Sequence, residues 1–423
     1  MEPDLCSSLL IMQPDESNPI SKSNDPRPDI LADKSSKATF WSHLSSAIAQ
    51  RQASGLHRRL VVSEPINATT IVRDGNRVIN FGSNDYLGLA WHPHIVATRR
   101  AAQHEDGKFG SGASPLVTGY TRTHAELAAA ISVFEGTKDA IVYSSGYAAN
   151  LGSVSAMVTK EDVIFSDSLN HASLIDGCRL SRAQLVIYPH CDMDELRRLI
   201  QQHRHRGRFA FVVTDSVFSM DGDLAPLEKI DELCREFDLM CVLDEAHATG
   251  VYGQTGRGLT EYKSISSERF IRVGTLSKAL GCIGGFVSGD QLLIDWLANH
   301  SRPWIYSTAM PAPNCLAAIH ALRLVTTMHR ERELLLQNSI ELRSRLRGHG
   351  FRVGEGNSPI IPIYFHDADE VIQISQRLLQ AGLFVPAIRP PTVPIGSSLL
   401  RVSISAAHSK RDFEQLTAAV GQL

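Results

Sequence analysis

The sequence predicts an α/β protein: a large, mostly parallel-sheet domain followed by a smaller C-terminal α+β domain. Two observations predict this. Between about residues 140 and 290, seven short runs that are apolar on both faces alternate with helical stretches, the signature of strands covered by helices on each side. After about residue 305 the order changes to long helix, strand, helix, two strands and a closing helix. The composition fits, since 43% hydrophobic and 21% charged residues over 423 positions describe a folded chain with a large buried core.

Taken in order, residues 1–38 are rich in Ser, Asp, Pro and Asn and are expected to be a disordered extension. The segment FWSHLSSAIAQRQASGL places Phe40, Leu44, Ile48 and Ala49 on one face of a helix, with Gly55 as its stop. TTIVRDGNRVINF reads as two short strands about an Asp74-Gly75 turn. These form an N-terminal segment, 39–90. The expected large domain, 91–305, holds the strand candidates AIVYSS (140–145), DVIFSD (162–167), QLVIYP (184–189), FAFVVTD (209–215), LMCVLDE (239–245), FIRVGTL (270–276) and GGFVSG (284–289). The tail domain, 306–423, reads as a helix over about 312–349, strand SPIIPIYF, helix DADEVIQISQRLLQAG, strands LFVPAI and LLRVSIS, and a helix from Lys410.

Charge excludes one class of function. Forty-two basic against forty-five acidic residues leave a net −3, without the basic footprint of a nucleic-acid binder. The HRHR run at His203–Arg206 reads as a solvated helix end. Seven scattered cysteines form no CxxC pair and no His/Cys cluster at metal spacing, so neither a zinc site nor a disulfide framework is expected. No apolar stretch reaches the length of a membrane span, and the acidic start does not resemble a targeting peptide. A cytoplasmic protein is expected.

In an open parallel sheet, ligands gather at the carboxyl ends of the strands. AIVYSS delivers Ser144, Ser145, Gly146 and Tyr147 to the start of a helix, where free backbone N–H groups suit a phosphate. DVIFSD leads to Asn170 and His171, FAFVVTD to Asp215, Ser216 and Ser219, LMCVLDE to Asp244, Glu245 and His247, and FIRVGTL to Thr275, Ser277 and Lys278. Singly, each is ordinary. Together they answer the needs of pyridoxal 5'-phosphate, an electron sink for a carbanion next to an amino acid's nitrogen. Lys278 offers an amine to bond its aldehyde, and Asp244 a carboxylate for its ring nitrogen. His247 or Ser219 suits the phenolic oxygen, and His171 can stack on the ring. Ser145, Gly146, Tyr147 and Thr275 suit the phosphate.

With these residues, the segments FGSNDYLGLA (81–90), GSGASPLVTGYTRTHAEL (110–127), SSGYAANLG (144–152), NHASLIDG (170–177), TDSVFSMDGDLAPL (214–227), LDEAHATGVYGQTGRG (243–258), GTLSKALG (274–281), PWIYSTAMPA (303–312) and AIRPPTVPIG (387–396) resemble the α-oxoamine synthases. That family has the fold-type I, aspartate-aminotransferase-like architecture. The resemblance runs from about Phe40 to the end and implies Lys278 as the Schiff-base lysine, His171 on the ring, Asp244 on the ring nitrogen and His247 on the phenolate oxygen. It further implies that Arg389, helped by Asn84, holds an amino acid's carboxylate and that Arg58 lies near an acyl substrate. His124 resembles a supporting histidine. Thr308 and Ser307 resemble residues that close over the partner subunit's phosphate, which implies a homodimer with shared sites. GASPLVTGYTRTH and AIRPPTVP resemble the branch that joins L-alanine to a pimeloyl thioester, of coenzyme A or a carrier protein, in biotin biosynthesis. Sister branches act on glycine or serine with other acyl thioesters.

Overall fold

A computed structural model describes residues 39–98, 110–266 and 268–423; the extension expected at 1–38 lies outside the described residues. The first predicted helix runs over Phe40–Ala53, and the Thr39 hydroxyl caps it by accepting from Ser42 N. Residues up to Ser54 and from Gly55 onward separate into two units, and the second carries everything that follows.

Strands β1 (Ser63–Pro65), β2 (Thr70–Arg73) and β3 (Asn76–Asn80) form an antiparallel ribbon. Arg73 pairs with Asn76 across a two-residue turn in which Asp74 has φ 50° and Gly75 φ 76°. Positive φ at both positions is the geometry that matches strand twist, and Asp-Gly is the dipeptide that adopts it cheaply.

All seven runs of the middle region become strands of one sheet: β4 (Asp139–Tyr143), β5 (Val163–Asp167), β6 (Gln184–Tyr188), β7 (Ala210–Asp215), β8 (Met240–Asp244), β9 (Phe270–Thr275) and β10 (Gly285–Gly289). Their spatial order is β4-β10-β9-β8-β7-β5-β6. β10 runs antiparallel to both its neighbours and the other pairs are parallel. The two-residue period of the strands divides their side chains between two apolar clusters. Phe165, Val212 and Leu243 enter one; Ile164, Val213 and Val242 enter the other. Both faces of the sheet are therefore buried, which is why these runs show no polar alternation.

The tail holds β11 (Ile360–Phe365), β12 (Leu383–Phe384), β13 (Ala387–Ile388) and β14 (Ser398–Ser403). Two expectations are corrected there. The single helix over about 312–349 is two, Ala312–Val325 and His329–Gly348. Thr326 and Thr327 turn their hydroxyls back onto the Arg323 and Leu324 carbonyls, and the buried Arg332 guanidinium donates to the Val325 and Gln254 carbonyls. Those carbonyls are thus satisfied without helix continuation. The strand LFVPAI also divides, at Pro386, a residue without a backbone N–H to donate. β12 pairs in parallel with β3, whereas β13 joins β14 in the sheet β11-β14-β13. The segments expected as separate, 39–90 and 306–423, consequently share a sheet. Among the described residues no helix is long and apolar enough to cross a membrane.

Candidate active site

The order of the central sheet sets β9, β8, β7 and β5 side by side, so their carboxyl ends meet. Asp215 and Asp244 are paired across β7 and β8. Asn170 staples the loop after β5 to β7: its amide donates to the Val213 carbonyl at 2.7 Å and its oxygen accepts from Asp215 N at 3.1 Å. That staple delivers His171, the N-cap of the helix Ala172–Ser181, whose backbone N–H donates to Asp215 Oδ2 at 2.7 Å. Burial and the neighbouring Asp244 push the Asp215 carboxyl well above its ordinary range.

Asp244 ends β8 and is buried. Its Oδ1 accepts from Ala246 N at 2.7 Å and its Oδ2 from Asn150 Nδ2 at 2.6 Å. His247, also buried, has Nδ1 2.7 Å from the Tyr86 hydroxyl. Burial, followed by the charges of Lys278, Arg401 and His171, holds the His247 ring well below its ordinary value. Burial also lowers the Lys278 amine to about 8, against the opposing pull of Asp244 and Asp215. A lysine so placed becomes a free amine above about pH 8, well below the range of an exposed lysine. Asp244, Asp215, His247, His171 and Lys278 are thus one electrostatic group.

Beside them lies the turn from β4 into the helix Gly146–Met157. Ser145 caps that helix, accepting from Ala148 N at 3.1 Å. A Cβ on Gly285 would stand 2.5 Å from Ser145 O and 2.6 Å from Gly146 Cα, and one on Gly146 would stand 3.2 Å from Thr275. Two glycines therefore let β10, the Thr275 strand end and the helix start approach closely. The helix N-terminus with Ser145 and Thr275 fits the demands of a phosphate. Tyr147 is half-exposed and donates its hydroxyl to Asp176.

The remaining sequence candidates fall into three places. Asn84 Oδ1 accepts from Arg401 NH1 at 3.1 Å, and Arg401 Nε donates to the Ser219 carbonyl at 2.6 Å. Arg389 instead donates to the carbonyls of Gly55 and His57 at 3.1 and 3.2 Å, and Arg58 to the Thr392 hydroxyl at 2.7 Å. Asn84 therefore meets Arg401, while Arg58 and Arg389 fasten the AIRPPTVP loop to the chain at residues 55–58. Thr308 is exposed and Ser307 half-buried; His124 is buried, with Nε2 2.8 Å from the Met310 carbonyl. Arg401 escaped the sequence reading. Only the structure marks it: the strand that carries it is buried at all six residues, where a charge demands a partner.

A family model described as aminotransferase class I and II matches residues 76–420. An 8-amino-7-oxononanoate synthase of Geobacter metallireducens is 43% identical over 376 residues, covering 88% of this chain and 96% of its own. A high-resolution structure of SPT with a PLP internal aldimine superposes with TM-score 0.86 at 31% identity, over 91% of this chain and 98% of the other. The crystal structure of 8-amino-7-oxononanoate synthase from Francisella tularensis gives TM-score 0.71 at 28% identity, over 82% and 97%.

Proposed function

We propose a reaction for this chain, which belongs to the aminotransferase class I and II family: the decarboxylating condensation of L-alanine with a pimeloyl thioester. The products are 8-amino-7-oxononanoate, CO2 and the free thiol. The observation that carries the chemistry is the Lys278 amine, lowered to about 8 and set among Asp244, Asp215 and His247. The choice of substrates rests on the 8-amino-7-oxononanoate synthase relatives, which match this chain over nearly their whole length.

The residues fit pyridoxal phosphate. Lys278 would anchor it, Asp244 would face its ring nitrogen and His171 its ring, while His247 and Ser219 stand for its phenolic oxygen. Ser145, Gly146, Tyr147 and Thr275 would hold its phosphate, with Thr308 contributed by the partner of a homodimer. When bound, the cofactor supplies an electron sink for the carbanion generated from the amino acid.

The protein's own groups do the rest. The Asp244 carboxylate, held by Ala246 N and Asn150, would stabilise positive charge opposite it. Lys278 Nζ, unprotonated above about pH 8, takes the α-proton of alanine and later returns a proton to the product carbon. The alanine carboxylate suits a guanidinium fork. Arg401, already joined to Asn84, supplies one inside the cluster, and Arg389 supplies the second in the AIRPPTVP loop. Arg58, which donates to Thr392 of the same loop, would lie near the acyl substrate.

The test is thiol release by the purified protein with L-alanine, glycine and L-serine against pimeloyl-CoA, a pimeloyl-carrier protein and longer acyl-CoAs. Alanine with a pimeloyl thioester should be the fastest pair and should release CO2 with the thiol. The solved SPT structure, at TM-score 0.86, makes serine with a long-chain acyl-CoA the second reading. Rapid release with that pair, and none with alanine, would replace the first.

A further inference from the structure

Beneath the cluster runs a line of hydrogen bonds of which the reaction above uses only the first, Asn150 to Asp244; its continuation through Ser173 to His171 has no task there. Asn150 and Ser173 are 2% and 0% exposed. Asn150 Nδ2 donates to Asp244 Oδ2 at 2.6 Å and to Ser173 Oγ at 2.9 Å. Ser173 Oγ in turn lies 2.7 Å from His171 Nδ1, and Ser173 N donates to the same ring nitrogen at 3.3 Å.

Counting hydrogens fixes the direction of this line. An ionised carboxylate only accepts, so the amide nitrogen of Asn150, not its oxygen, faces Asp244. That nitrogen carries two hydrogens and spends both, one on Asp244 and one on Ser173 Oγ. Ser173 Oγ therefore accepts from Asn150 and has its own hydrogen left to give, with His171 Nδ1 as its neighbour. Nδ1 then receives an O–H and a backbone N–H. A nitrogen that receives two donors keeps its lone pair, and the ring hydrogen sits on Nε2.

We propose that Asn150 and Ser173 are positioning residues that join Asp244 to His171 and hold His171 as the neutral ring with its proton on Nε2. The task rests on the function proposed above in one respect, that His171 lies against the cofactor; the bonds themselves involve only this chain's atoms. A neutral imidazole stacks on a ring whose nitrogen is positively charged without repelling it and without competing for Asp244. Its Nε2–H remains a fixed donor toward whatever the site binds. Among the described residues, the charged and titratable groups around His171 are Asp244, Asp215, Lys278 and His247, with the Tyr147 ring edge-on at 6.4 Å. Burial and Lys278 lower the ring's proton affinity while Asp244 raises it, and the net direction is downward.

The experiment is nitrogen NMR on holoenzyme labelled with 15N-histidine, with His171→Asn identifying the signal. The native protein should show His171 neutral and protonated at Nε2 down to pH 6. Ser173→Ala removes the hydroxyl that stabilises the neutral ring. His171 should then gain its proton at a pH higher by roughly half to one unit, and the acid limb of kcat/KM should move up with it. Ser173→Thr, which keeps a hydroxyl, should restore the native titration. A proton on Nδ1 in the native protein would overturn the proposal. So would a Ser173→Ala variant that melts earlier but titrates unchanged, the behaviour of a merely structural residue. Failure to turn over alanine would strike the proposed reaction alone, because the imidazole signal is read without substrate.

Discussion

Lys278 is an amine whose burial costs more than its neighbours Asp244 and Asp215 restore, which leaves it near 8. The sign follows directly. An unfolded or exposed lysine holds its proton to about pH 10.4, so between pH 8 and 10 the folded protein carries a neutral amine where the unfolded chain carries a cation. In cofactor-free protein, acetylation of Lys278 by a low dose of acetic anhydride, followed by peptide mass spectrometry, should reach half its maximal rate near pH 8. Surface lysines in the same digest should still be rising at pH 10. A profile for Lys278 parallel to theirs would remove the basis for its assigned proton-transfer role. The candidate residues were legible in the sequence because each sits within a few positions of a strand end: Asp244, His247, Thr275, Lys278. Arg401 was not, because its significance depends on the distant Asn84 and Ser219 that it touches. The same holds for Asn150 and Ser173, whose small polar side chains are ordinary until Asp244 and His171 appear on either side of them.

Gly285 shows what an element must provide beyond its hydrophobic pattern. It opens β10 where that strand passes the Ser145–Gly146 turn, and a Cβ there would overlap backbone on both residues, at 2.5 and 2.6 Å. Backbone cannot rotate away as a side chain would. Gly285→Ala should therefore push the helix Gly146–Met157 off the strand ends at a cost of about 1–3 kcal/mol. Affinity for pyridoxal phosphate, followed by its absorbance on titration, should fall at least about tenfold while far-ultraviolet circular dichroism stays native. Unchanged affinity would mean that this turn does not hold the phosphate. The strands themselves were readable because burial on both faces writes a continuous apolar run. The breaks at Thr326–Met328 and Pro386 were less so. The first depends on Arg332 reaching back to Val325 and Gln254, and the second on β3 being available to accept β12.

At the scale of the whole molecule, the proposed homodimer predicts that each site borrows Thr308 from its partner. Thr308 is exposed on its own chain, so a large charged replacement there can fold and still obstruct the partner's site. Lys278→Ala and Thr308→Arg should each be inactive as purified proteins. Co-expressed in equal amounts, they should recover about a quarter of the native rate, because half of the dimers then carry one intact site of two. No recovery in a confirmed mixed dimer would place Thr308 in its own chain's site, and an active Thr308→Arg protein would place it in none.

By itself the sequence determined which elements form and which chemical groups stand at their ends. Period, turn residues and strand length are local properties, and the Asp74-Gly75 hairpin and the seven runs from Asp139 to Gly289 follow from them. It also carried the lysine, carboxylate and histidines in family-like segments. Only the tertiary structure decided which strands are neighbours, and hence that Asp215 lies beside Asp244. It also decided that Asn84 meets Arg401 rather than Arg389, and that a buried amide and hydroxyl connect Asp244 to His171. The physical reason is range. Hydrophobic periodicity acts over one or two turns of chain, whereas hydrogen-bond partners and pKa shifts depend on groups that folding brings together across hundreds of residues.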